Sequence, residues 1–304
     1  MTLALEALSQ WLLVWTLLLI GLRLLYPLLR PALERLHPAD GAVVRLALYV
    51  LPWALSGLLV WAVNGGAGGL WVQPHCHGDE CQPHRPDIIY PLVLLVAALS
   101  AWGVLAIYTL WRSWQAHRKA RHLLMLARRE GDWWVLPTSA PLVFTLGFWR
   151  CRLFVSQGLL SELSPRALDV VAAHEHAHRY RADNLRTFLA TLALLPLLPF
   201  CLSLREDLKL GHEKACDLAA CQRADATFVA QTIVDVTRLQ QPEANALDAS
   251  FFARCHTRTR VQALLAPIPA TGGRTRALAF MGFCALVLFT LGVDSLHHGL
   301  EWLW

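Results

Sequence analysis

Charged residues are scarce in this chain. Asp, Glu, Lys and Arg account for only 16% of its 304 residues, whereas 56% are hydrophobic and the mean hydropathy is +0.41. Because a soluble domain carries about 25% charged residues, this composition excludes an ordinary soluble globular protein and indicates a membrane protein. Internal repeats and low-complexity segments are also absent from the sequence, which excludes a repeat architecture.

The first ten residues, MTLALEALSQ, contain neither Lys nor Arg. A cleavable signal peptide carries positive charge before its apolar core, whereas here Arg23, Arg30 and Arg35 follow the core. We therefore expect a retained membrane anchor whose N-terminus lies outside the cell.

Several apolar runs are close to the length that crosses a hydrocarbon layer of about 30 Å. Four of them are predicted to be transmembrane helices, at residues 3–29, 43–63, 88–111 and 277–293. The run at residues 187–204 is a fifth candidate, but it contains Pro196 and Pro199. The sequence therefore predicts about four transmembrane helices.

The distribution of Lys and Arg predicts the topology. Basic residues are dense after residue 111, whereas the segment 64–87 has one Arg, no Lys and three acidic residues. Since cytoplasmic loops carry an excess of Lys and Arg, we expect residues 112–275 on the cytoplasmic side of a bacterial-type inner membrane. Residues 1–111 would hold three helices and an outer loop, and residues 276–304 a fourth helix and a short outer tail. On this interpretation the basic stretch sets the topology and binds no nucleic acid directly.

The inward-facing segment is long enough to form a small domain. Residues 142–157, LVFTLGFWRCRLFVSQ, predict two short strands because β-branched and aromatic residues flank a central glycine. Ser164 and Pro165 then predict a helix start, with Ser as the N-cap and Pro in the first turn. Further helices are expected at residues 207–223 and 227–239.

The helix predicted to begin at Ser164 carries a metal-binding pattern. His174 and His178 lie four residues apart, so both imidazoles project from one helical face and can share one cation. Glu175 would lie beside the metal, where a carboxylate can take a proton from water. This is the His-Glu-x-x-His pattern of zinc metallopeptidases. His176 lies about 200° around the helix from His174, so it cannot join the same site.

A catalytic zinc ion needs a third protein ligand and an open position. Glu213, in the sequence GHEKACDLAAC, is the predicted third ligand, although His212 could compete with it. Asp217 lies one helical turn further on and would accept a hydrogen bond from a ligand histidine, which fixes its tautomer. Asp183 is a second candidate for that role.

The shared site constrains the path of residues 187–204. If this run crossed the bilayer, His178 and Glu213 would lie on opposite sides and could not hold one ion. The two prolines favour a bent hairpin that dips into the membrane or packs on the other helices. We therefore expect the chain to return Glu213 to the histidines.

These motifs resemble a known group of proteins. HEHAHRYRADN, EKACD and TRTRVQALLA at residues 257–266 are similar to BlaR/MecR-type integral-membrane zinc metallopeptidases, as is the segment from residue 141 to 165. The resemblance implies a gluzincin, with His174, His178 and Glu213 as zinc ligands. The expected fold is mainly α: a polytopic membrane protein with about four transmembrane helices and an inserted α+β gluzincin-like zinc protease domain. The ligand pattern is shared with HtpX-like and CAAX-protease-like membrane peptidases.

The resemblance has one departure. BlaR and MecR carry an extracellular penicillin-binding domain after the last span, whereas here DSLHHGLEWLW remains, without a Ser-x-x-Lys motif. The resemblance implies a signalling protease that cleaves a protein substrate such as a DNA-binding repressor, or itself, in response to a signal other than a β-lactam. The alternatives are an HtpX-like quality-control protease and a non-catalytic membrane metal sensor.

The expected mechanism uses Glu175 as the general base, and His256 and Arg260 as the nearest candidates for oxyanion donors.

The outer loop leaves three interpretations open. His75, Cys76, His77, Cys81 and His84 fall within ten residues; they could bind copper or zinc, Cys76 and Cys81 could form a disulfide, or the loop could be a solvated connector.

Overall fold

The computed structural model describes residues 2–64, 76–77, 80–81, 92–148, 151–240 and 247–302. The helices are α1 (Thr2–Glu34), α2 (Pro38–Asn64), α3 (Leu92–Leu126), α4 (Gln157–Glu162), α5 (Pro165–Arg181), α6 (Asp183–Ala193), α7 (Leu202–Ala220), α8 (Ala226–Gln240), α9 (Leu247–Leu265) and α10 (Gly273–Trp302). A 3₁₀ helix, Leu195–Phe200, joins α6 to α7. The strands are β1 (Cys76–His77), β2 (Glu80–Cys81), β3 (Arg128–Glu130), β4 (Trp133–Leu136), β5 (Val143–Leu146) and β6 (Arg152–Ser156). The prediction of a mainly helical protein with a small sheet is confirmed.

Three helices in the described part of the chain are long and apolar enough to cross a membrane: Ala7–Glu34, Pro38–Asn64 and Gly273–Gly299. They correspond to three of the four predicted spans. The predicted span at residues 88–111 begins outside the described residues, and α3 continues it from Leu92, so the count of four stays a prediction. On α10, large apolar side chains are exposed at Phe280, Phe283, Leu286, Leu288 and Leu291. Such a surface is suited to lipid.

The segment between α6 and α7 turns back on itself. α6 ends at Ala193, and the 3₁₀ helix that contains both prolines leads directly into α7. Trp15 on α1 donates a hydrogen bond from Nε1 to the Ala193 carbonyl at 3.1 Å. Tyr49 on α2 donates one to the Leu204 carbonyl at 2.9 Å. The turn therefore packs on α1 and α2, whereas its association with the membrane stays a prediction.

The four-stranded sheet has the order β3-β4-β6-β5, with β4 parallel to β6 and the other pairs antiparallel. β5 and β6 are the two strands predicted within residues 142–157. β3 and β4, which form a hairpin around Gly131, were not predicted from the sequence. This order leaves β5 at one edge of the sheet.

After Asn64, the segment 64–87, predicted to be an outer loop, is described only at the backbone of β1 and β2, which pair with Cys76 opposite Cys81. The side chains of both cysteines, and His75 and His84 entirely, lie outside the described residues. The disulfide, the metal site and the solvated connector therefore all stay predictions.

Gly158 lets the start of α4 pack directly against the turn that precedes β5. Its N–H donates to the Thr138 carbonyl at 3.0 Å, and a Cβ added to it would lie 2.0 Å from the Ser139 carbonyl oxygen. Backbone cannot move as cheaply as a side-chain tip. We expect Gly158→Ala to lower the free energy of unfolding by about 2 kcal/mol, measured by chemical denaturation in detergent. A change below a few tenths of a kcal/mol would contradict this close approach, and Gly282→Ala, where a Cβ meets nothing within 4 Å, is the control.

Candidate metal centre

Helix α5 carries the two histidines and begins as predicted. The Ser164 side chain accepts a hydrogen bond from the Ala167 N–H, and Pro165 occupies the first turn, where a missing N–H costs nothing. His174 and His178 therefore lie one turn apart on the same face. Their Nε2 atoms are 3.2 Å apart.

Helix α7 brings Glu213 to these imidazoles. Its Oε2 lies 3.5 Å from Nε2 of His174, and its Oε1 lies 3.4 Å from Nε2 of His178. One nitrogen from each histidine and one carboxylate oxygen lie within 4.8 Å of one another. The structure thus brings the three predicted ligands together, because the turn between α6 and α7 runs α7 back alongside α5.

The backbone between α5 and α6 positions Asp183. Ala182 adopts the left-handed conformation (φ 52°, ψ 43°), ending α5 and starting α6 at once. The next side chain consequently faces the last turn of α5, and Asp183 Oδ2 lies 2.9 Å from His178 Nδ1. With its Nδ1 engaged in this way, His178 presents Nε2 to the centre.

Asp217 holds the other histidine and is itself held by an arginine. Its Oδ1 lies 3.0 Å from His174 Nδ1. Arg260 of α9 donates to it twice, from Nε to Oδ2 at 2.8 Å and from Nη2 to Oδ1 at 2.6 Å. The third nitrogen of Arg260, Nη1, lies 3.0 Å from Glu213 Oε2. Arg260 therefore links two carboxylates of the site from a third helix.

The charges of the site shift the pKa of each candidate ligand. Burial lowers the pKa of His174, but Asp217 and Glu213 outweigh burial and raise it. The pKa of His178 is raised well above its ordinary value, again by acceptors that outweigh burial. Burial raises the pKa of Glu213, but both histidines and Arg260 hold it well below the ordinary value. The shifts are reciprocal, since the carboxylates favour the charged form of the imidazoles while the imidazoles and Arg260 favour the charged form of Glu213.

Glu175 is buried and points at the sheet. Thr145 of β5 donates a hydrogen bond from Oγ1 to Glu175 Oε2. Asn184 ties the same strand to α6, because its Nδ2 donates to the carbonyls of Thr145 at 3.1 Å and Gly147 at 3.2 Å. Neither residue was anticipated from the sequence. Asn184 lies directly after Asp183 and was available as a signal, whereas nothing in the local pattern marked Thr145.

We expect Thr145→Val to lower kcat about ten-fold with little change in KM, because one hydrogen bond to a charged group fixes the Glu175 carboxylate. Thr145→Ser retains the hydroxyl and should restore most of kcat. The measurement is steady-state cleavage of a fluorescently labelled unfolded protein by purified enzyme. Equal rates for the Val and Ser variants would show that the hydroxyl does not position Glu175.

The remaining histidines lie apart from the three ligand atoms. His176 Nε2 lies 3.5 Å from Asp132, on the sheet side, which fits its prediction as a bystander. His212 is buried, with Nδ1 3.0 Å from Asp183 Oδ1, so it contacts the carboxylate that supports His178. Cys216 also contacts Asp183, at 3.5 Å, and was not anticipated. His256 does not line the cavity at the centre, whereas Arg260 does.

Two clefts meet at the centre. One has a volume of about 340 Å³ and an aliphatic wall that includes Val170, Val229 and Ile233. The other, of about 380 Å³, extends past Phe148 and Lys209. Both are lined by Thr145, His178, Asn184 and Glu213. An extended chain can therefore pass the centre with side chains on either side of it.

The donor set fits a divalent metal. Two imidazole nitrogens and one carboxylate oxygen are a common ligand set for catalytic zinc, and both imidazoles have acidic partners on their other nitrogens. His178, Asp183 and Cys216 form a second, overlapping group of possible ligands. In that group the Asp183 carboxylate supports His178, so the first set is the more suitable one.

Comparison with known proteins gives one match. The family model described as Peptidase family M48 matches residues 115–290, which include all three candidate ligands, Glu175 and Arg260. No curated protein and no solved structure matches the chain. M48 peptidases are metal-dependent, in agreement with the donor set. Because the match covers more than half of the chain, this protein belongs to peptidase family M48 and is a metallopeptidase by family.

Proposed function

We propose that this protein is a membrane-embedded zinc endopeptidase. The observation that carries the proposal is the convergence of His174, His178 and Glu213 beside the buried carboxylate of Glu175. Three protein ligands and one open position are what a catalytic zinc site requires. The pairs of Asp217 with His174 and of Asp183 with His178 fit ligands that must stay neutral and oriented.

A zinc ion in this position supplies a Lewis acid that activates water and polarises a peptide carbonyl. Glu175 takes a proton from the attacking water and passes it to the leaving nitrogen. Thr145 holds one oxygen of that carboxylate, so the other is free to face the reacting atoms. Arg260 lines the cavity and is the proposed donor to the oxyanion; His256 is the weaker candidate, because it does not line the cavity.

The edge strand β5 is the proposed docking site for the substrate backbone. Leu142 accepts a hydrogen bond from Ser156 N–H, and the antiparallel register continues through Phe144 opposite Phe154. Since alternate residues of an antiparallel strand bond to the partner, the backbone groups of Val143 and Thr145 point away from β6. Asn184 already donates a hydrogen bond to the Thr145 carbonyl. The backbone groups of Val143 are therefore the ones available for pairing with an extended peptide.

The proposed location is the inner membrane, with the metal centre on the cytoplasmic side. Three helices suited to crossing a membrane support the membrane assignment, and the positive-inside rule supports the orientation. The resemblance to BlaR/MecR-type peptidases supports a signalling role in which a transcriptional repressor, or the protein itself, is cleaved.

A second candidate function is HtpX-like quality control of membrane proteins. The observation that favours it is the aliphatic wall of the first cleft, which accepts many apolar side chains. A non-catalytic metal sensor is the third hypothesis. It gives no role to the buried Glu175 or to its hydrogen bond with Thr145.

The test compares cells that express the wild type with cells that express Glu175→Gln, and catalogues new protein N-termini in each. One cleaved regulator, or self-cleavage, seen only with the wild type supports the signalling protease. Cleavage of many membrane proteins supports quality control instead. Identical sets of N-termini under copper, zinc and cell-wall stress would count against an endopeptidase.

A further inference from the structure

A separate cavity lies away from the metal centre, at the ends of α1 and α2. Its volume is about 150 Å³. α1 contributes Glu34 to its wall, α2 contributes Arg45, α7 contributes Asp207 and Lys214, and the connector between α9 and α10 contributes Pro267. α1 ends and α2 begins beside this cavity, and both are candidate membrane spans. Two helices that cross the membrane here would place the cavity at the level of the lipid headgroups.

Arg45 is 7% exposed, and its Nε is buried without a hydrogen-bond partner among the residues that the structure describes. Two glycines make room for the guanidinium. A Cβ added to Gly41 would lie 3.0 Å from Arg45 Nη1, and one added to Gly211 would lie 3.7 Å from it. A buried guanidinium is costly unless an anion accompanies it, so this position calls for a counter-charge.

The acidic residues of the cavity are already engaged elsewhere. Asp207 accepts hydrogen bonds from Tyr26 Oη at 3.0 Å and from Arg30 Nη2 at 3.1 Å. Arg30 Nε also lies 3.1 Å from Glu34 Oε1. Lys214 has no salt bridge with a carboxylate in the described part of the chain. Arg45 and Lys214 are therefore two cations that line the cavity. Its two carboxylates, Asp207 and Glu34, both pair with Arg30.

We infer that this cavity binds a phosphate group, held by Arg45 from α2 and Lys214 from α7. Phosphate accepts several charge-assisted hydrogen bonds at once, and a guanidinium is its best partner among side chains. The group can belong to a phospholipid headgroup, since basic pockets between transmembrane helices bind such headgroups, or it can be free phosphate. The inference depends on neither the metal nor the peptidase activity.

Bound phosphate would connect a membrane span to the helix that carries a candidate metal ligand. Lys214 follows Glu213 directly on α7, and Arg45 lies against Gly211 of the same helix. A ligand that joins α2 to α7 stabilises their packing, because it binds the folded arrangement and not the separated helices. We therefore expect bound phosphate to raise the midpoint temperature of thermal unfolding.

The experiment uses the full-length protein, purified in a neutral non-ionic detergent. Thermal unfolding is followed while phosphatidylglycerol, phosphatidylcholine or inorganic phosphate is titrated, with sodium chloride at matched ionic strength as the background. We expect a saturable rise in the midpoint with phosphatidylglycerol or inorganic phosphate. Lys214→Met and Arg45→Gln should each weaken the apparent affinity about ten-fold, the loss expected for one charged hydrogen-bond partner.

Lys209→Met is the matched control. Lys209 lies on the same helix, is 42% exposed, and pairs with Glu206 at 2.9 Å outside the cavity. Its variant should respond as the wild type does. A response to phosphatidylglycerol alone identifies a lipid site, and a response to inorganic phosphate identifies a site for the free anion. The absence of any response, or an unchanged affinity in Lys214→Met, overturns the inference even if Arg45→Gln fails to fold.

Discussion

Glu175→Gln is expected to keep the metal and to lose about 10³-fold in kcat, the middle of the range for a general acid–base residue. The substitution is nearly isosteric, and the amide can still accept the hydrogen bond from Thr145 Oγ1. It cannot take a proton from water. The candidate ligands His174, His178 and Glu213 are unchanged, so the metal content measured by mass spectrometry should stay near that of the wild type.

Glu162→Gln is the control for this variant. Glu162 is an exposed residue at the end of α4, and its variant should cleave a labelled unfolded protein at the wild-type rate. Cleavage by Glu175→Gln within ten-fold of the wild type would assign the proton transfer to another group. Loss of metal together with activity would instead give Glu175 a structural role.

The proximity of the three candidate ligands could be predicted from the sequence because it depends on helical geometry. Residues four apart on a helix share a face whatever surrounds them, which places His174 beside His178. The return of Glu213 followed from a second constraint, since two residues can share one ion only if the chain between them turns back. The structure has such a turn at the two prolines of the 3₁₀ helix.

The supporting residues could not be predicted in the same way. Thr145 reaches Glu175 across 30 positions of sequence, and Asn184 reaches the Thr145 carbonyl across 39. Such contacts depend on how the sheet packs against α5, and no local periodicity encodes that packing. The same is true of Arg260, which the sequence suggested as an oxyanion donor and which the structure places in contact with Asp217 and Glu213.

Strand β3 could not be predicted for a different reason. β3 is three charged residues, Arg128–Glu130, all of them exposed. Strand prediction relies on alternation of apolar and polar residues, and an edge strand made of charges has none. Charges on an edge strand protect it from pairing with other chains, so the charges that make β3 hard to predict also protect this edge of the sheet.

Asp217→Asn is expected to lower the free energy of unfolding by about 3 kcal/mol, because it removes the buried partner of Arg260 and leaves that guanidinium with the more exposed carboxylate of Glu213. The Asp217 side chain is 1% exposed and Arg260 is 17% exposed, so water cannot replace the lost carboxylate. Metal affinity should also fall between about ten- and a hundred-fold, since a neutral amide oxygen is a weaker acceptor for His174 Nδ1 than the carboxylate that it replaces. Chemical denaturation and competition with a zinc-binding dye measure the two effects.

A double-mutant cycle that combines Asp217→Asn with Arg260→Met separates the energy of the ion pair between Asp217 and Arg260 from the other effects of each substitution. If the ion pair causes the loss of stability, the double variant should be less destabilised than the sum of the single variants. Asp225→Asn is the control, because Asp225 pairs with Arg166 at 3.5 Å with both side chains more than 60% exposed. Exposed ion pairs contribute at most about 1 kcal/mol to stability. Asp225 also caps α8 by accepting a hydrogen bond from the Phe228 N–H, and an Asn side chain can accept the same bond. Equal losses in Asp217→Asn and Asp225→Asn would mean that the contact between α7 and α9 does not depend on the buried charges.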